Sequence, residues 1–165
     1  MKKILILSGG YSKEKEISRA SAKSIYKTLK DKYKILVCEP DSEFISKIKK
    51  FKPDVVYNSL HGRFGEDGYI QALLENLKVK YTHSGVNSSS IAMDKEISKR
   101  IFIRNNIRTP KFLKLNNFDL IKDKNTLLKN IEIKLGFPVV IKPVDEGSSV
   151  DVNICNKQNI IKNLK

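Results

Sequence analysis

Residues 3–10 read KILILSGG, a short apolar run that is closed by two glycines. The run is typical of a strand buried on both faces, and the glycines predict a turn at its end. Residues 13–31 follow with an amphipathic helical pattern, in which the apolar residues near one face are Ile17, Ala20, Ala22, Ile25 and Leu29. A buried strand followed by an amphipathic helix is the beginning of a parallel α/β unit.

The same alternation continues to about residue 60. We predict a second strand over Lys34–Cys38, a second helix over Asp41–Phe51 and a third strand over Asp54–Leu60. This βαβαβ order predicts an α/β fold with a doubly wound parallel sheet. Ligands bind such sheets at the carboxyl ends of the strands, where Gly9-Gly10 and His61-Gly62 both fall.

The elements after residue 61 are shorter. We expect four helices: one that ends near Leu77, one from about Ile97 to Asn105, one over Asn125–Leu135 and one that begins at Lys157. We expect four strands, over Lys80–Thr82, Lys111–Leu115, Pro138–Lys142 and Val150–Cys155. The last two strands are expected to form a hairpin. The character of the sequence changes from Thr109-Pro110 onward. We divide the chain into an N-terminal domain, residues 1–90, and a second, incomplete domain, residues 91–165.

The composition excludes several classes of protein. Of the 165 residues, 40% are hydrophobic and 30% are charged, which is ordinary for a globular chain and unlike a disordered or fibrous one. The longest apolar runs are far shorter than the roughly 20 residues of a membrane span, so we expect no membrane segment. The formal charge of +14 comes mostly from scattered lysines, so we expect no nucleic-acid binding. Cys38 and Cys155 lack metal-ligand spacing and are predicted to be buried thiols of a cytoplasmic protein.

Residues 137–149, FPVVIKPVDEGSS, combine an apolar strand with a cation and a turn of small residues. Val139–Ile141 are predicted to be buried on both faces of a sheet, and Lys142 places a positive charge at the strand end. The turn Glu146-Gly147-Ser148-Ser149 offers backbone N–H groups and hydroxyls that suit a phosphate chain. The residues alone are equally typical of an ordinary strand followed by a tight turn.

The first loop carries two acidic residues, Glu14 and Glu16, and lacks the G-x-G-x-x-G pattern of dinucleotide sites. Carboxylates at the first turn of a helix are favoured by the helix dipole, by about 0.3–1 kcal/mol each. The alternative is that one of them receives the ammonium group of a ligand. Both interpretations stay open on the residues alone.

The second loop, residues 61–68, reads HGRFGEDG. Its three glycines permit positive φ or a close approach of the backbone, and Glu66 and Asp67 suit the N-terminus of the next helix. His61 follows a strand end, where it is either a structural histidine or a functional one.

Five motifs in order resemble the D-alanine–D-alanine ligases of the ATP-grasp superfamily over nearly the whole chain. They are Gly9-Gly10 with Ser12, Glu14, Glu16 and Ser18, then HGRFGEDG with Gln71, then SGV (84–86) with AMDK (92–95), then FPVVIKP (137–143), and then EGSS (146–149). The resemblance implies a parallel doubly wound, Rossmann-like N-terminal domain followed by an incomplete α+β ATP-grasp domain.

The resemblance also implies an activity. ATP phosphorylates the carboxylate of one D-alanine, and the amine of a second D-alanine attacks the acyl phosphate, in a Mg²⁺-dependent reaction of peptidoglycan synthesis. The family's residues imply that Glu14 holds the amino group of the first D-alanine, that His61 lies near the reacting carboxylate and that Ser148 joins a hydrogen-bond network with Glu14. The N-terminal domain of such ligases commonly forms a homodimer.

For ATP, the resemblance implies that Lys95 and Lys142 contact the phosphates and that Gly147 and Ser149 belong to the loop that covers them. Two residues depart from the family pattern: Asp151 stands where glycine is usual, and Tyr11 stands where threonine is usual.

The motifs found here do not include the family's Mg²⁺ ligands or its phosphoryl-binding arginine. They also do not include the residues that select D-alanine, D-lactate or D-serine as the second substrate. No metal ligand is therefore assigned within the 165 residues, and we expect this polypeptide alone to be inactive. The alternative is a non-catalytic truncated relic or assembly module that retains a partial amino-acid and ATP site.

Overall fold

The computed structural model describes residues 1–116, 118–119 and 123–164. The chain forms two compact units, Met1–Asp94 and Lys95–Lys165, and each is described by itself. No helix in the described part of the chain is long and apolar enough to cross a membrane.

The first unit is a three-stranded parallel sheet with four helices. The strands are β1 (Lys3–Leu7), β2 (Lys34–Cys38) and β3 (Val55–Asn58), and the helices are α1 (Lys15–Leu29), α2 (Phe44–Phe51), α3 (Tyr69–Asn76) and α4 (Val86–Met93). The strand order is β2-β1-β3, with Ile4 opposite both Ile35 and Val55. The βαβαβ order predicted from the sequence is confirmed.

The central strand is covered on both faces because its side chains alternate between them. Leu5 and Leu7 pack on one face with buried residues of α2 and α3. Ile4 and Ile6 pack on the other face with Ala22 of α1. Helices on both faces of a parallel sheet define the doubly wound fold that the sequence predicted.

One prediction for the end of this unit needs correction, and one helix was missed. The fourth strand expected at Lys80–Thr82 is a single parallel bridge, from Tyr81 to Val56. The run of small residues at 87–92, to which the sequence assigned no element, lies inside α4. Serine and asparagine are poor helix formers by propensity, so tertiary packing decides this segment.

The second unit contains helices and an antiparallel hairpin. Its elements are α5 (Lys95–Arg104), α6 (Lys124–Lys134), β4 (Val139–Ile141), β5 (Asn153–Cys155) and α7 (Ile160–Asn163). β4 pairs with β5, which confirms the predicted hairpin. The helix predicted from Lys157 is observed as α7, and Lys165 lies outside the described residues. A small core joins the hairpin to α6 and α7 through Leu127, Ile131, Cys155 and Ile160.

The strand predicted at Lys111–Leu115 is wrong. These residues form no strand, and Leu113 and Leu115 pack against the core of the unit without a strand partner. The apolar residues that suggested a strand therefore pack against the core without pairing in a sheet.

The prediction that Val139–Ile141 is buried on both faces is also wrong for the described residues. Val140 is 56% exposed, and its cross-strand partner Ile154 is 74% exposed. One face of the hairpin contributes to the core, and the other face is exposed. Cys38 and Cys155 are both free and buried, as predicted.

Candidate functional site

Two loops meet at one edge of the parallel sheet. β2 lies on one side of β1 in the sheet, and β3 lies on the other side. The loops after β1 and β3 therefore border the point where the strand order reverses, which is where open α/β sheets bind ligands. These loops carry Glu14 and His61.

Ser12 ties the two loops together. Its hydroxyl donates to the backbone carbonyl of His61 at 2.7 Å and accepts from the backbone N–H of Glu14 at 3.1 Å. One side chain thus fixes the start of α1 relative to the loop after β3. The sequence placed Ser12 in a motif but gave it no role.

The carboxylate of Glu14 lies against the backbone of Gly62. A Cβ added to Gly62 would stand 2.5 Å from Oε2 of Glu14 and 3.3 Å from Cβ of Ser12. Gly62 also has a φ of +70°, which a residue with a side chain adopts only at a cost. The left-handed backbone favours glycine at this position, and any side chain there would displace the Glu14 carboxylate.

Burial and pairing distinguish the two carboxylates of the first loop. The Glu16 side chain is 70% exposed and pairs with Arg19 at 2.5 Å. The pKa of Arg19 is raised, first by its hydrogen bond to Glu39 and then by the charge of Glu16. Glu14 is only 6% exposed, and within the described residues its carboxylate forms no ion pair. Glu14 is therefore the carboxylate that suits the ammonium group of a ligand.

The imidazole of His61 is half-buried beside α1. Its Nε2 lies 3.4 Å from Oγ of Ser21, at the long end of the range for a hydrogen bond. Together with the contact through Ser12, this places an ionisable ring and a buried carboxylate on adjacent loops. The sequence did not identify Ser21, which occupies an ordinary helical position without a motif.

Buried amides hold the loop after β3 in shape. Asn58 Nδ2 and Gln71 Nε2 both donate to the carbonyl of Gly65, at 2.8 and 2.9 Å. Asn58 Oδ1 also accepts from the backbone N–H of Leu60. Glu66 accepts from the N–H of Gly62 at 2.7 Å. The role of Asn58 was missed, although an amide at the last position of a buried strand is a usable signal.

The predicted phosphate loop follows β4 in the second unit. Lys142 follows the strand directly and is exposed. In the turn, the carbonyl of Gly147 accepts a hydrogen bond from the backbone N–H of Val150 at 3.0 Å. Ser148 and Ser149 have φ values of +44° and +61°. Left-handed residues in a turn aim successive N–H groups to one side, and such concave backbone segments bind anions.

Asp151 also has a left-handed backbone, with φ of +54°. Aspartate adopts this conformation more readily than most residues with a side chain. The left-handed backbone agrees with the glycine that the resemblance implies at this position, and aspartate is among the residues that tolerate it.

Lys95 lies against the same loop. Its backbone N–H donates to the carbonyl of Val144 at 3.0 Å, and its Nζ donates to the carbonyls of Val144 and Glu146. Lys95 and Lys142 therefore both adjoin the segment from 142 to 146. The predicted hydrogen bond between Ser148 and Glu14 would join the two units and stays a prediction.

The residues described do not form a metal site by themselves. Across residues 1–116, 118–119 and 123–164, no three His, Cys, Asp or Glu side chains are grouped so as to hold a metal ion. We therefore derive no step through Mg²⁺ from this chain.

Two family models match the sequence. The model described as "D-ala D-ala ligase N-terminus" matches residues 39–84, and the model described as "D-ala D-ala ligase C-terminus" matches residues 101–164.

Individual relatives match almost the whole chain. The D-alanine–D-alanine ligase of Pelagibacter ubique (strain HTCC1062) is 61% identical over 99% of this chain and 53% of the relative. The crystal structure of the D-alanine–D-alanine ligase from Bacillus anthracis has a TM-score of 0.84 at 36% identity, over 99% of this chain and 53% of that one. The structure of the Bacillus anthracis ligase complexed with ATP has a TM-score of 0.72 at 32% identity, over 97% and 53%.

These likenesses confirm the fold class predicted from the sequence. The chain spans about half the length of the relatives that it matches.

Proposed function

Because the chain belongs to the D-alanine–D-alanine ligase family, we propose that it forms part of an ATP-dependent ligase that joins two D-alanines. In this proposal the unit Met1–Asp94 is the N-terminal domain, and the unit Lys95–Lys165 is part of the ATP-grasp domain. The product, D-alanyl-D-alanine, serves peptidoglycan synthesis in the cytoplasm. A homodimer through the first unit is part of the same proposal.

The buried carboxylate of Glu14 is the observation that carries the proposal. A largely buried charge without an ion-pair partner is unfavourable, since it has lost part of its hydration without gaining a counter-charge. The ammonium group of an amino acid supplies both a counter-charge and N–H donors. In this proposal, Glu14 accepts from the ammonium group of the first D-alanine.

The chemistry then proceeds in two balanced steps. A carboxylate oxygen of the first D-alanine attacks the γ-phosphorus of ATP, and ADP leaves. The amine of the second D-alanine attacks the acyl carbon, phosphate leaves, and the amine loses a proton. His61, on the loop tied to Glu14 through Ser12, is positioned to orient the reacting carboxylate and to stabilise charge that develops on it.

The loop after β4 fits a phosphate chain. Lys142 supplies a positive charge, and Gly147 to Ser149 supply N–H groups and hydroxyls on a left-handed backbone. Lys95 holds the start of this loop through two carbonyls and adds a second cation. We propose that these residues bind the phosphates of ATP and that Ser148 also bonds to Glu14 when the site is complete. The proposal includes Mg²⁺ as a cofactor, with no ligand assigned to it among the described residues.

A ligation assay on the longest gene product that carries this chain tests the proposal. We expect D-alanyl-D-alanine and ADP to form with ATP, Mg²⁺ and D-alanine. Glu14→Gln should lower kcat/KM for D-alanine by about 30- to 1000-fold, because losing one partner of a buried charge pair costs roughly 2–4 kcal/mol. Glu16→Gln, on the same helix but exposed, is the matched control and should change kcat/KM by less than about twofold.

Two outcomes would contradict this function. If Glu14→Gln and Glu16→Gln behave alike, Glu14 does not hold the ammonium group. If D-alanine binds but no dipeptide forms, the chain is the non-catalytic binding or assembly module that the sequence left as the alternative.

A further inference from the structure

Helix α5 carries two lysines one turn apart, Lys95 and Lys99. Residues at i and i+4 share one face of a helix. Lys95 binds the carbonyls of Val144 and Glu146 through its Nζ, so the N-terminal part of α5 lies against the segment that follows Lys142. Lys99 has no role in the function proposed above.

The ammonium group of Lys99 is held by neutral groups. Its Nζ donates to Oγ1 of Thr109 and to the carbonyl of Pro110, both at 2.9 Å. It also lies 5.3 Å from the centre of the Phe112 ring. These contacts fix the position of the charge without neutralising it.

No carboxylate of α5 offsets this charge. The acidic residue of the helix, Glu96, is bound by Lys114 and Arg100. The pKa of Lys99 is lowered, first by burial and then by the positive charge of Lys142. Lys142 itself forms no ion pair within the described residues. Two nearby cations without a shared anion repel each other, and a bound anion relieves the repulsion.

We propose that Lys99 is a positioning residue of the polyphosphate site. It keeps its hydrogen bonds to Thr109 and Pro110, and its fixed charge raises the positive potential at Lys142. A triphosphate chain beside Lys142 is bound more tightly as a result. The inference rests on the proposed function only in the choice of ligand class, the polyphosphate of a nucleoside triphosphate.

Calorimetric titration of the chain with inorganic tripolyphosphate tests this role. Lys99→Met and Lys99→Gln, which remove the charge, should weaken binding about 5- to 10-fold. Lys99→Arg should restore it to within about threefold. Thr109→Val removes a hydrogen-bond acceptor but keeps the charge, so it should change the affinity by less than about twofold. Lys134→Met, at an exposed position of α6, lowers the net charge equally and should also leave binding within about twofold.

Three results would overturn the proposal. One is tripolyphosphate binding that is unchanged in Lys99→Met and Lys99→Gln. Another is an equal loss in Thr109→Val, which would assign Lys99 a purely structural role. The last is a wild-type chain that binds no tripolyphosphate. Because this titration needs neither D-alanine nor turnover, a chain that binds tripolyphosphate through Lys99 but does not ligate would refute only the proposed function.

Discussion

Replacing Gly62 by alanine should disrupt the site where the two loops meet. The new Cβ would stand 2.5 Å from Oε2 of Glu14, so the buried carboxylate has to move. A left-handed backbone with a side chain costs about 1–2 kcal/mol, and overpacking of a buried site costs about 1–3 kcal/mol more. We therefore expect Gly62→Ala to lower the free energy of unfolding of the first unit by about 2–5 kcal/mol.

Gly10→Ala separates the two contributions. Gly10 has a φ of +89°, and a Cβ there would meet only the end of the Leu60 side chain, at 3.3 Å. Its cost should be the backbone cost alone, about 1–2 kcal/mol. Repeating Gly62→Ala in a Glu14→Ala background removes the clash, so the cost of Gly62→Ala should fall there to that of Gly10→Ala.

Urea unfolding followed by tyrosine fluorescence measures these values for the first unit. The chain has no tryptophan, and all six tyrosines lie within Met1–Asp94. The close approach of Glu14 to Gly62 would be refuted if Gly62→Ala cost no more than Gly10→Ala. It would also be refuted if the cost of Gly62→Ala were the same with and without Glu14.

Two further predictions concern single contacts of the first unit. Asn58→Ala leaves the buried N–H of Leu60 without its acceptor and should cost about 1–3 kcal/mol by the same unfolding assay; a loss below about 0.5 kcal/mol would contradict it. Tyr81 donates to Glu75 at 2.6 Å, which, with burial, raises the pKa of Tyr81 to about 12. Glu75→Gln should lower that pKa in an ultraviolet titration, and the stability from this contact, present below pH 10, should be lost as the pH rises toward 12; an unchanged titration would show that Glu75 is not the cause.

Local patterns in the sequence predict most of the first unit. The alternation of apolar runs with amphipathic segments places all three strands, because strands buried in a parallel sheet and helices that cover it have different periods. Lys34–Cys38 is observed with the predicted bounds. The glycines of the loops also predict positive φ values or close contacts of the backbone. Gly62 has both.

Predictions fail where long-range packing decides the outcome. Lys111–Leu115 is rich in apolar residues but has no strand partner, so its leucines pack against the core as an irregular segment. Val140 belongs to an apolar run, yet in the hairpin with β5 its side chain lies on the exposed face. The neighbouring residues in the sequence do not indicate which face is exposed. The carbonyl of Gly65 accepts hydrogen bonds from Asn58, on a strand, and from Gln71, on a helix. Because the two donors lie on different elements, the sequence does not show that they share one acceptor.

The choice between the two carboxylates of the first loop also required the structure. The sequence offers Glu14 and Glu16 as equals, two residues apart at the start of one helix. The structure buries Glu14 beside Gly62 and pairs Glu16 with Arg19 at the surface. The resemblance already implied Glu14, but burial and pairing are tertiary properties that the residues alone do not show.

Transfer of oxygen from D-alanine to phosphate follows directly from ligation through an acyl phosphate. The longest gene product that carries this chain would be incubated with ATP, Mg²⁺ and D-alanine labelled with oxygen-18 in its carboxylate. We predict one labelled oxygen in the released phosphate for each dipeptide formed. Dipeptide accompanied by unlabelled phosphate, or ADP released without dipeptide, would contradict the account.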